Sequence, residues 1–352
     1  MRLESRPWIG ILVTSRKSRK RILKLYQRYN SLNLKLYIFT PSDIRWKKQR
    51  IIGLSLQKGI WKQSLFPFPQ VVYNRCFNKK VQTIQSLEKA IGRNQCFNAI
   101  NFFNKWDLYN RLSQTSLKTY LPETFSYKYS NVSELLETYP LLYIKPFYGS
   151  KGRSVYRIER RDHGDIDISL HSTAPRYICR KNEDIQGKLD ELLGSAQYMV
   201  QQGIAMSRVD RKYFDIRVLV QKDILGEWTV SAITCRVAYE QYFNTSMCEN
   251  MYDFVELLSK ELPPEQFNTI LQTLNEVSVK AALEAETLLG LLGELSVDFV
   301  LDEQNKLWII ELNGKPQKNM YNDLKSKSIK RKVYSKPLEY AYYLSQSPRP
   351  FK

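Results

Sequence analysis

Near the C-terminal end of the chain, Asp298, Glu311 and Asn313 have the types and spacing to hold a hard cation. They lie in Glu294-Leu-Ser-Val-Asp298-Phe-Val-Leu-Asp-Glu-Gln-Asn-Lys-Leu-Trp-Ile-Ile-Glu311-Leu-Asn313-Gly-Lys-Pro316, which reads as two β-strands joined by a tight polar turn. Centring that turn between Gln304 and Asn305 sets Asp298 opposite Glu311, and strand alternation puts Asn313 on the same face. The other face is then Val297, Phe299, Leu301, Trp308, Ile310 and Leu312, while Val300 and Ile309 neighbour the polar trio. Two carboxylates this close repel each other and are costly to bury. A cation such as Mg²⁺, which takes oxygen ligands, resolves the conflict. The plainer alternative is a solvated hairpin face, which would be expected to carry Lys, Thr or Glu where this one has Val and Ile.

Two upstream segments could handle anions. Leu141 to Ile158 reads as a strand, a turn containing Gly149, Ser150, Gly152 and Ser154, and a returning strand. Glycine lets backbone amides approach phosphate oxygens closely, and Lys145 and Lys151 add positive charge beside them. The spacing matches neither G-x-x-x-x-G-K-[ST] nor G-x-G-x-x-G, and alone such a segment is more often just an ordinary turn. Tyr198 to Ile204, with Gln201 and Gln202, is a strand running into a bend. Beyond it, Tyr213–Val220 and Trp228–Val237 form an antiparallel pair. Asp215 and Arg217 alternate onto one face, and a turn near Ile224-Leu225 brings Arg236 onto it. This is either a structural Asp–Arg pair or two guanidiniums offered to anionic oxygens and held by a carboxylate.

The elements that must position these groups belong to a globular chain. Its 352 residues, 43% hydrophobic and 12% aromatic, suffice for two or three domains with cores. No apolar run approaches a membrane span, and Trp8–Val13 is too short for a signal sequence, so a cytoplasmic protein with no membrane partner is expected. The 5 cysteines are scattered without a C-x-x-C pair, which argues for free thiols in a reducing compartment and against zinc. The 2 histidines, His163 and His171, lie in a polar stretch that reads as a surface loop, which argues against histidine-based catalysis. The net charge of +19 gathers in Arg16–Arg28, Arg45–Arg50 and Lys325–Lys336 and would attract polyanions. No zinc finger, RNP motif or helix-turn-helix accompanies it, so nucleic acid is not the expected partner and most of the charge reads as solvated surface.

Residues 8–13 and 34–39 are short apolar runs flanking a helical basic segment, Arg16 to Asn30, and Gln70–Asn74 is a further strand: a β-α-β opening. Phe102 to Ser113 is a predicted helix, Pro263-Pro264 opens a long one over Glu265–Leu289, and a final helix is expected near Leu338–Leu344.

The order of these features is more specific than any one of them. Lys145-Pro146 with its Gly/Ser loop, Val200-Gln201-Gln202-x-Ile204, Asp215-x-Arg217, Arg236, then Asp298 and Glu311-x-Asn313 together resemble the ATP-grasp superfamily. Tyr73-Asn74-Arg75, Phe97-Asn98, the segment from Phe103 to Leu112 around Lys105-Trp106, Leu121-Pro122-Glu123-Thr124 and the ending Trp308-x-x-Glu311-x-Asn313-x-Lys315-Pro316 resemble its YheC/YheD branch, over about residues 70–345. That branch is named for association with the spore coat of endospore-forming Bacillus-type bacteria.

The resemblance implies an α/β (α+β) ATP-grasp fold. An N-terminal, pre-ATP-grasp-like α/β domain would span residues 1–100, the ATP-grasp domain 101–345, and a tail 346–352. Within the ATP-grasp domain, the phosphate-loop part would cover about 120–200 and the metal-binding part about 201–345. It implies ATP between the two parts, with Lys145 at adenine or the α-phosphate and Gly149, Ser150, Lys151, Gly152 and Ser154 closing over the phosphates. Gln201, Gln202 and Ile204 would form the adenine-side hinge, and Asp215 would belong to the nucleotide site. Asp298, Glu311 and Asn313 would hold Mg²⁺, and Arg217 and Arg236 would face the γ-phosphate or an acyl phosphate. The implied activity is ATP-dependent ligation of an unspecified carboxylate to an amine or thiol, with spore-coat proteins as partners. One departure is that Asn244–Asn250 lacks the Gly-rich turn the family commonly carries there. Two other function classes remain open: a non-catalytic structural or assembly protein of the spore coat, and a basic polyanion-binding protein.

Overall fold

The computed structural model of the chain describes residues 6–76, 82–100 and 102–346, which build three β-sheets in chain order. The first contains β1 (Trp8–Val13), α1 (Arg19–Arg28), β2 (Lys35–Phe39), β3 (Arg50–Gln57), β4 (Ile60–Pro67), β5 (Val71–Arg75), α2 (Gln82–Ile91) and β6 (Cys96–Phe97). β2, β1, β5 and β6 run parallel side by side, and β3 and β4 add an antiparallel edge. A parallel sheet is covered on both faces, which is why β1 is an unbroken apolar run. Leu23 and Tyr26 of α1 cover one face, and Ile84 and Leu87 of α2 the other.

The second sheet follows α3 (Lys105–Ser113). Its elements are β7 (Thr124–Ser126), α4 (Val132–Thr138), β8 (Leu141–Pro146), β9 (Tyr156–Arg160), β10 (Ile166–Leu170), β11 (Pro175–Cys179), α5 (Ile185–Leu193) and β12 (Tyr198–Gln202). The strand order is β11-β10-β9-β8-β12-β7, antiparallel throughout. Alternation sends Leu142, Ile144 and Val200 into a core with α4 and α5, and Tyr143, Lys145 and Gln201 to the opposite face.

The third sheet is built from β13 (Lys212–Lys222), β14 (Trp228–Ala238), β15 (Cys248–Asp253), β16 (Glu294–Leu301) and β17 (Leu307–Asn313), in the order β15-β14-β13-β16-β17. Helix α6 (Pro264–Leu289) precedes β16, with Pro264 in its first turn and Gly290 at φ +83 just after it. Its buried stripe of Ile270, Leu274, Val277, Ala281 and Ala285 packs with α3 against one face of the sheet. Each of the larger side chains contributes about 1.5–3 kcal/mol through burial.

The other face meets α7 (Lys327–Gln346), whose Leu338, Tyr340, Ala341 and Leu344 share one core with Leu219 and Ala232 of this sheet and Ile9, Ile11 and Tyr73 of the first. The expected final helix, Leu338–Leu344, is therefore too short: α7 has 20 residues and runs through Pro337. An interior proline costs about 3 kcal/mol. Burial of Val333 and Tyr334 before it and Leu338 and Tyr340 after it offsets that cost. At the other end of the chain, Arg16–Ser18 forms a separate 3₁₀ turn, so α1 is shorter than expected.

Candidate functional site

Between the second and third sheets lies a cleft of about 820 Å³. Lys145, Gly149, Ser150, Lys151, Gly152, Gln201, Gln202 and Ile204 line it from one side; Asp215, Arg217, Arg236, Asp298, Glu311 and Asn313 line it from the other. Ser154 is not among the lining residues; it is exposed at φ +57, and Arg153 and Val155 face the cleft in its place.

The hairpin that supplies the acids has two registers. Asp298 pairs with Glu311 and Ser296 with Asn313, as the spacing predicts for the first pair. Toward the turn, Phe299 pairs with Ile309 and Val300 with Trp308, one residue out of step. The extra residue is Ile310. A bulge reverses the faces of everything beyond it. Leu307 and Ile309 therefore join Val297, Phe299 and Leu301 in the core, while Ile310 joins Val300 in the cleft. This corrects the expectation that Trp308 and Ile310 face the core and that Ile309 neighbours the acids. Trp308 instead donates its Nε1–H to Asp302 at 2.8 Å.

The acids are neutralised within the sheet. Arg217 grips Asp298 through Nε at 2.7 Å and Nη2 at 2.6 Å. Arg236 grips Asp215 through Nε at 2.7 Å and a closer Nη2, which also reaches Asp298 at 3.2 Å. The pairing at Asp215–Arg236 puts Arg236 on the expected face. Asn313 Nδ2 donates to Asp298 at 3.2 Å, and the Thr245 hydroxyl donates to Asp215 at 2.5 Å. Burial opposes ionisation of Asp298, but the two guanidiniums outweigh it and hold the carboxyl below its ordinary range. Both forks use Nε and Nη2, which leaves Nη1 of each arginine outside them.

Glu311 has a different partner, Lys105 Nζ at 3.3 Å. The same ammonium donates to the carbonyl of Gly149 at 3.1 Å, tying the Gly/Ser turn to the acidic hairpin. Asn104 caps α3, accepting from Trp106 N at 3.0 Å, and so places Lys105 in the first turn. In the sequence Lys105 stands out only within the family pattern, and the capping Asn104 just before it is the signal that places it at a helix start. Opposite, Lys145 Nζ donates to Gln201 Oε1 at 2.6 Å, and Gln201 Nε2 donates to Thr124 at 3.0 Å. Burial pushes Lys145 down to about 8 against the pull of Glu311, with Lys105 adding to the fall. Gln202 Oε1 accepts from Glu123 N at 3.2 Å and braces β12 to the start of β7.

The glycine-free loop after β14 bridges the two sides. Phe243 N and Asn244 N donate to the carbonyl of His171 at 3.1 and 3.2 Å, and Thr173 N donates to Gln241 O at 2.7 Å. Asn244 Nδ2 bonds His171 Nδ1 at 2.9 Å and lies 3.5 Å from the carbonyl of Lys151. His171 is thus a half-buried bridging residue and not part of a solvated surface loop. Asn244, Thr245 and Lys315 also line the cleft; the sequence marks them only through the loop that departs from the family pattern and through the Glu311-x-Asn313-x-Lys315 ending, without a role of their own, and burial pushes Lys315 down to about 7.

Among the described residues, no three His, Cys, Asp or Glu side chains form a self-sufficient metal site. The cleft offers two carboxylates and an amide oxygen. Glu311 and the Asn313 amide oxygen are open to a cation, while Asp298 would contribute an oxygen by exchanging one of its hydrogen bonds from Arg217, Arg236 or Asn313. Such a set fits Mg²⁺, which commonly takes one or two carboxylates and fills its shell with water and phosphate oxygens.

Comparison with known proteins agrees with this arrangement. The chain matches the family described as YheC/D like ATP-grasp over residues 93–344. It is 25% identical over 323 residues to the endospore coat-associated protein YheD of Bacillus subtilis, covering 88% of this chain and 70% of YheD. Its backbone is similar to that of the D-alanine-D-alanine ligase from Coxiella burnetii, with a TM-score of 0.53, 10% identity and 96% of each chain covered. It is also similar to N5-carboxyaminoimidazole synthase from Aspergillus clavatus in complex with ADP and 5-aminoimidazole ribonucleotide, with a TM-score of 0.53, 13% identity, and 88% of this chain and 70% of that one covered. At such identities the likeness to the solved structures is one of fold. That fold is ATP-grasp, and the chain belongs to the YheC/D-like ATP-grasp family.

Proposed function

We propose that the cleft binds ATP with Mg²⁺ and uses it to join a carboxylate to an amine or thiol. The observation that carries this reading is one cleft with an oxygen-rich hairpin and two forked arginines on one side, and Lys145 with a glycine turn on the other. The ligase and synthase names of the structural neighbours, one of them holding ADP, support it.

Asp298, Glu311 and Asn313 would hold Mg²⁺, which would supply neutralisation of phosphate charge. Lys145, oriented by Gln201, meets adenine or the α-phosphate, while Gln201, Gln202 and Ile204 frame the base. Gly149, Ser150, Lys151 and Gly152 bring backbone amides to the phosphates, with Ser154 on the outer side of the turn. Arg217 and Arg236 face the γ-phosphate and the acyl phosphate. Asp298 and Asp215 hold their guanidiniums in place beforehand, so little reorganisation is needed at the moment of transfer. A substrate carboxylate oxygen takes the γ-phosphoryl group, ADP departs, and the amine or thiol then displaces phosphate. Such transfer depends on positioning and charge neutralisation, so the scarcity of histidine is no obstacle.

In this reading residues 1–100 form the N-terminal domain and 101–345 the ATP-grasp body. Its phosphate-loop part is about 120–200, its metal part about 201–345, and 346–352 is a tail. The coat association in the name of YheD supports partners among coat proteins for a chain made in the cytoplasm. The test is calorimetric titration of ATP with Mg²⁺ into the parent and Glu311→Gln, followed by hydroxylamine trapping of activated carboxylates as hydroxamates. No binding to the folded parent overturns the reading. The closure of Asn244 over the Lys151-Gly152 turn favours one second reading, a nucleotide-holding assembly protein without turnover. Tight binding with no hydroxamate from any carboxylate tried would select it.

A further inference from the structure

Beside the cleft is a smaller cavity, of about 320 Å³, that the ligase reading leaves unused. Arg21, Lys24 and Arg28 of α1 line it with Asn319, Asn322 and Asp323 from the turn that follows β17. The three cations recur at three- and four-residue steps and so share one face of the helix. They are exposed, whereas Leu23 and Tyr26 of the same helix are buried. Arg16 and Arg19 just before them pair with Asp43. Among the described residues, no acidic partner lies within 4.0 Å of Arg21, Lys24 or Arg28, and Asp323 is the single carboxylate among the lining residues.

Two features connect this cavity to the cleft. Asn319 and Asp323 line both, so the basic groove opens at the edge of the cleft. The turn they share is anchored. Buried Lys318 pairs with Glu294 and donates to the hydroxyls of Tyr26 at 3.2 Å and Tyr73 at 2.9 Å. Tyr334 donates to Asn322 Oδ1 at 2.9 Å. The groove therefore stands in a fixed relation to Asp298 and Arg217.

We infer that the carboxylate substrate of this site is an acidic peptide, one carboxylate of which enters the cleft while its neighbours lie along Arg21, Lys24 and Arg28. The inference rests on the ligase reading. A nucleic acid would satisfy the groove but brings no carboxylate to activate; an acidic chain satisfies both. The spacing is compatible: the helix steps rise by roughly 4.5 and 6 Å, and same-side residues of an extended peptide are roughly 7 Å apart, a difference long basic side chains absorb.

The experiment is a fluorescence-anisotropy titration of labelled hexaglutamate into the full chain and into the Arg21→Glu/Lys24→Glu/Arg28→Glu variant. Mg·ATP is titrated into the parent in parallel. Hexaglutamate is expected to bind the parent, to bind the variant at least tenfold more weakly, and to bind better than a hexadeoxynucleotide at equal salt. The substituted side chains are exposed and the fold should survive; should a melt show otherwise, Lys24→Glu alone takes its place, with at least a threefold loss expected. Equal binding to parent and variant, no binding to the parent, or tighter binding of the oligonucleotide overturns the inference. If Mg·ATP binds while hexaglutamate does not, the inference falls alone; if Mg·ATP fails to bind, the ligase reading falls with it.

Discussion

Asp298 and Glu311 face each other across adjacent strands, yet different partners neutralise them. Arg217 and Arg236 hold Asp298 from within the sheet, and Lys105 reaches Glu311 from the start of α3. Asp298 is 1% exposed, while the Glu311 side chain is 26% exposed. One acid is thus part of the buried framework, and the other stands at the cleft with its charge more open to a ligand.

The same chemical change should therefore have opposite consequences at the two positions. Asp298→Asn leaves two buried guanidiniums short of a counter-charge and should cost about 3–5 kcal/mol of stability. Glu311→Gln loses one partly exposed pair, worth at most about 1 kcal/mol, but should weaken Mg·ATP at least tenfold. Thermal melts and calorimetry on both variants measure this; a stable Asp298→Asn beside an unfolded Glu311→Gln would reverse the assignment.

Lys145 gives the cleft a pH dependence. Burial holds its ammonium down to about 8, so the charge is lost as pH rises through that value. ATP stays anionic over the same range, so its affinity should fall, by roughly tenfold between pH 7 and pH 9. The effect on stability has the opposite sign. An unfolded lysine titrates near 10.4 and binds more protons than the folded one between 8 and that value, so this group's contribution to stability rises with pH there. Titrations at several pH values should find Lys145→Gln weaker for ATP and flatter in its pH dependence than the parent.

Gly152 sits at φ +64, and a Cβ there would lie 2.3 Å from Asn244 Nδ2. Gly152→Ala should strain the turn by about 1–2 kcal/mol and push it off Asn244, weakening ATP several-fold. Asn244→Ala opens the space, so the double variant should recover part of the loss. Calorimetry on the four forms of this cycle measures the coupling; simple additivity would mean that the two residues do not meet in solution.

What could be read from the sequence followed what repeats locally. Strand alternation was enough to set Asp298 against Glu311 and Arg236 on the face of Asp215. The bulge at Ile310 was not legible, because Trp308-Ile309-Ile310 is apolar throughout and no glycine or proline marks the extra residue. The reach of α7 back through Pro337 to Lys327 was not legible, because local propensity says nothing about the core that the helix completes. The Lys105–Glu311 and His171–Asn244 contacts join segments remote in the chain, and each residue locally resembles any other polar surface position.

Lys318 and Glu294 form a fully buried ion pair between the turn after β17 and the start of β16. Tyr73 of the first sheet donates to the same carboxylate, and Gln221 of β13 donates to it at 2.8 Å. Burial opposes the charge on Glu294, but Lys318 and Arg75 outweigh it and hold the group below its ordinary range. A carboxyl whose folded value is depressed adds stability above its unfolded value, near 4.3, and that stability is lost as pH falls through the folded value. Glu294→Gln should thus cost about 3–5 kcal/mol at neutral pH, because Lys318 stays buried without its partner, and should flatten the decline of stability in acid. Glu294→Gln with Lys318→Met removes both charges and should regain most of the loss. Denaturant unfolding at pH 7 and pH 4 measures both. A double variant as unstable as the single one would mean that Lys318 contributes through packing against Tyr26 and Tyr73 rather than through its charge.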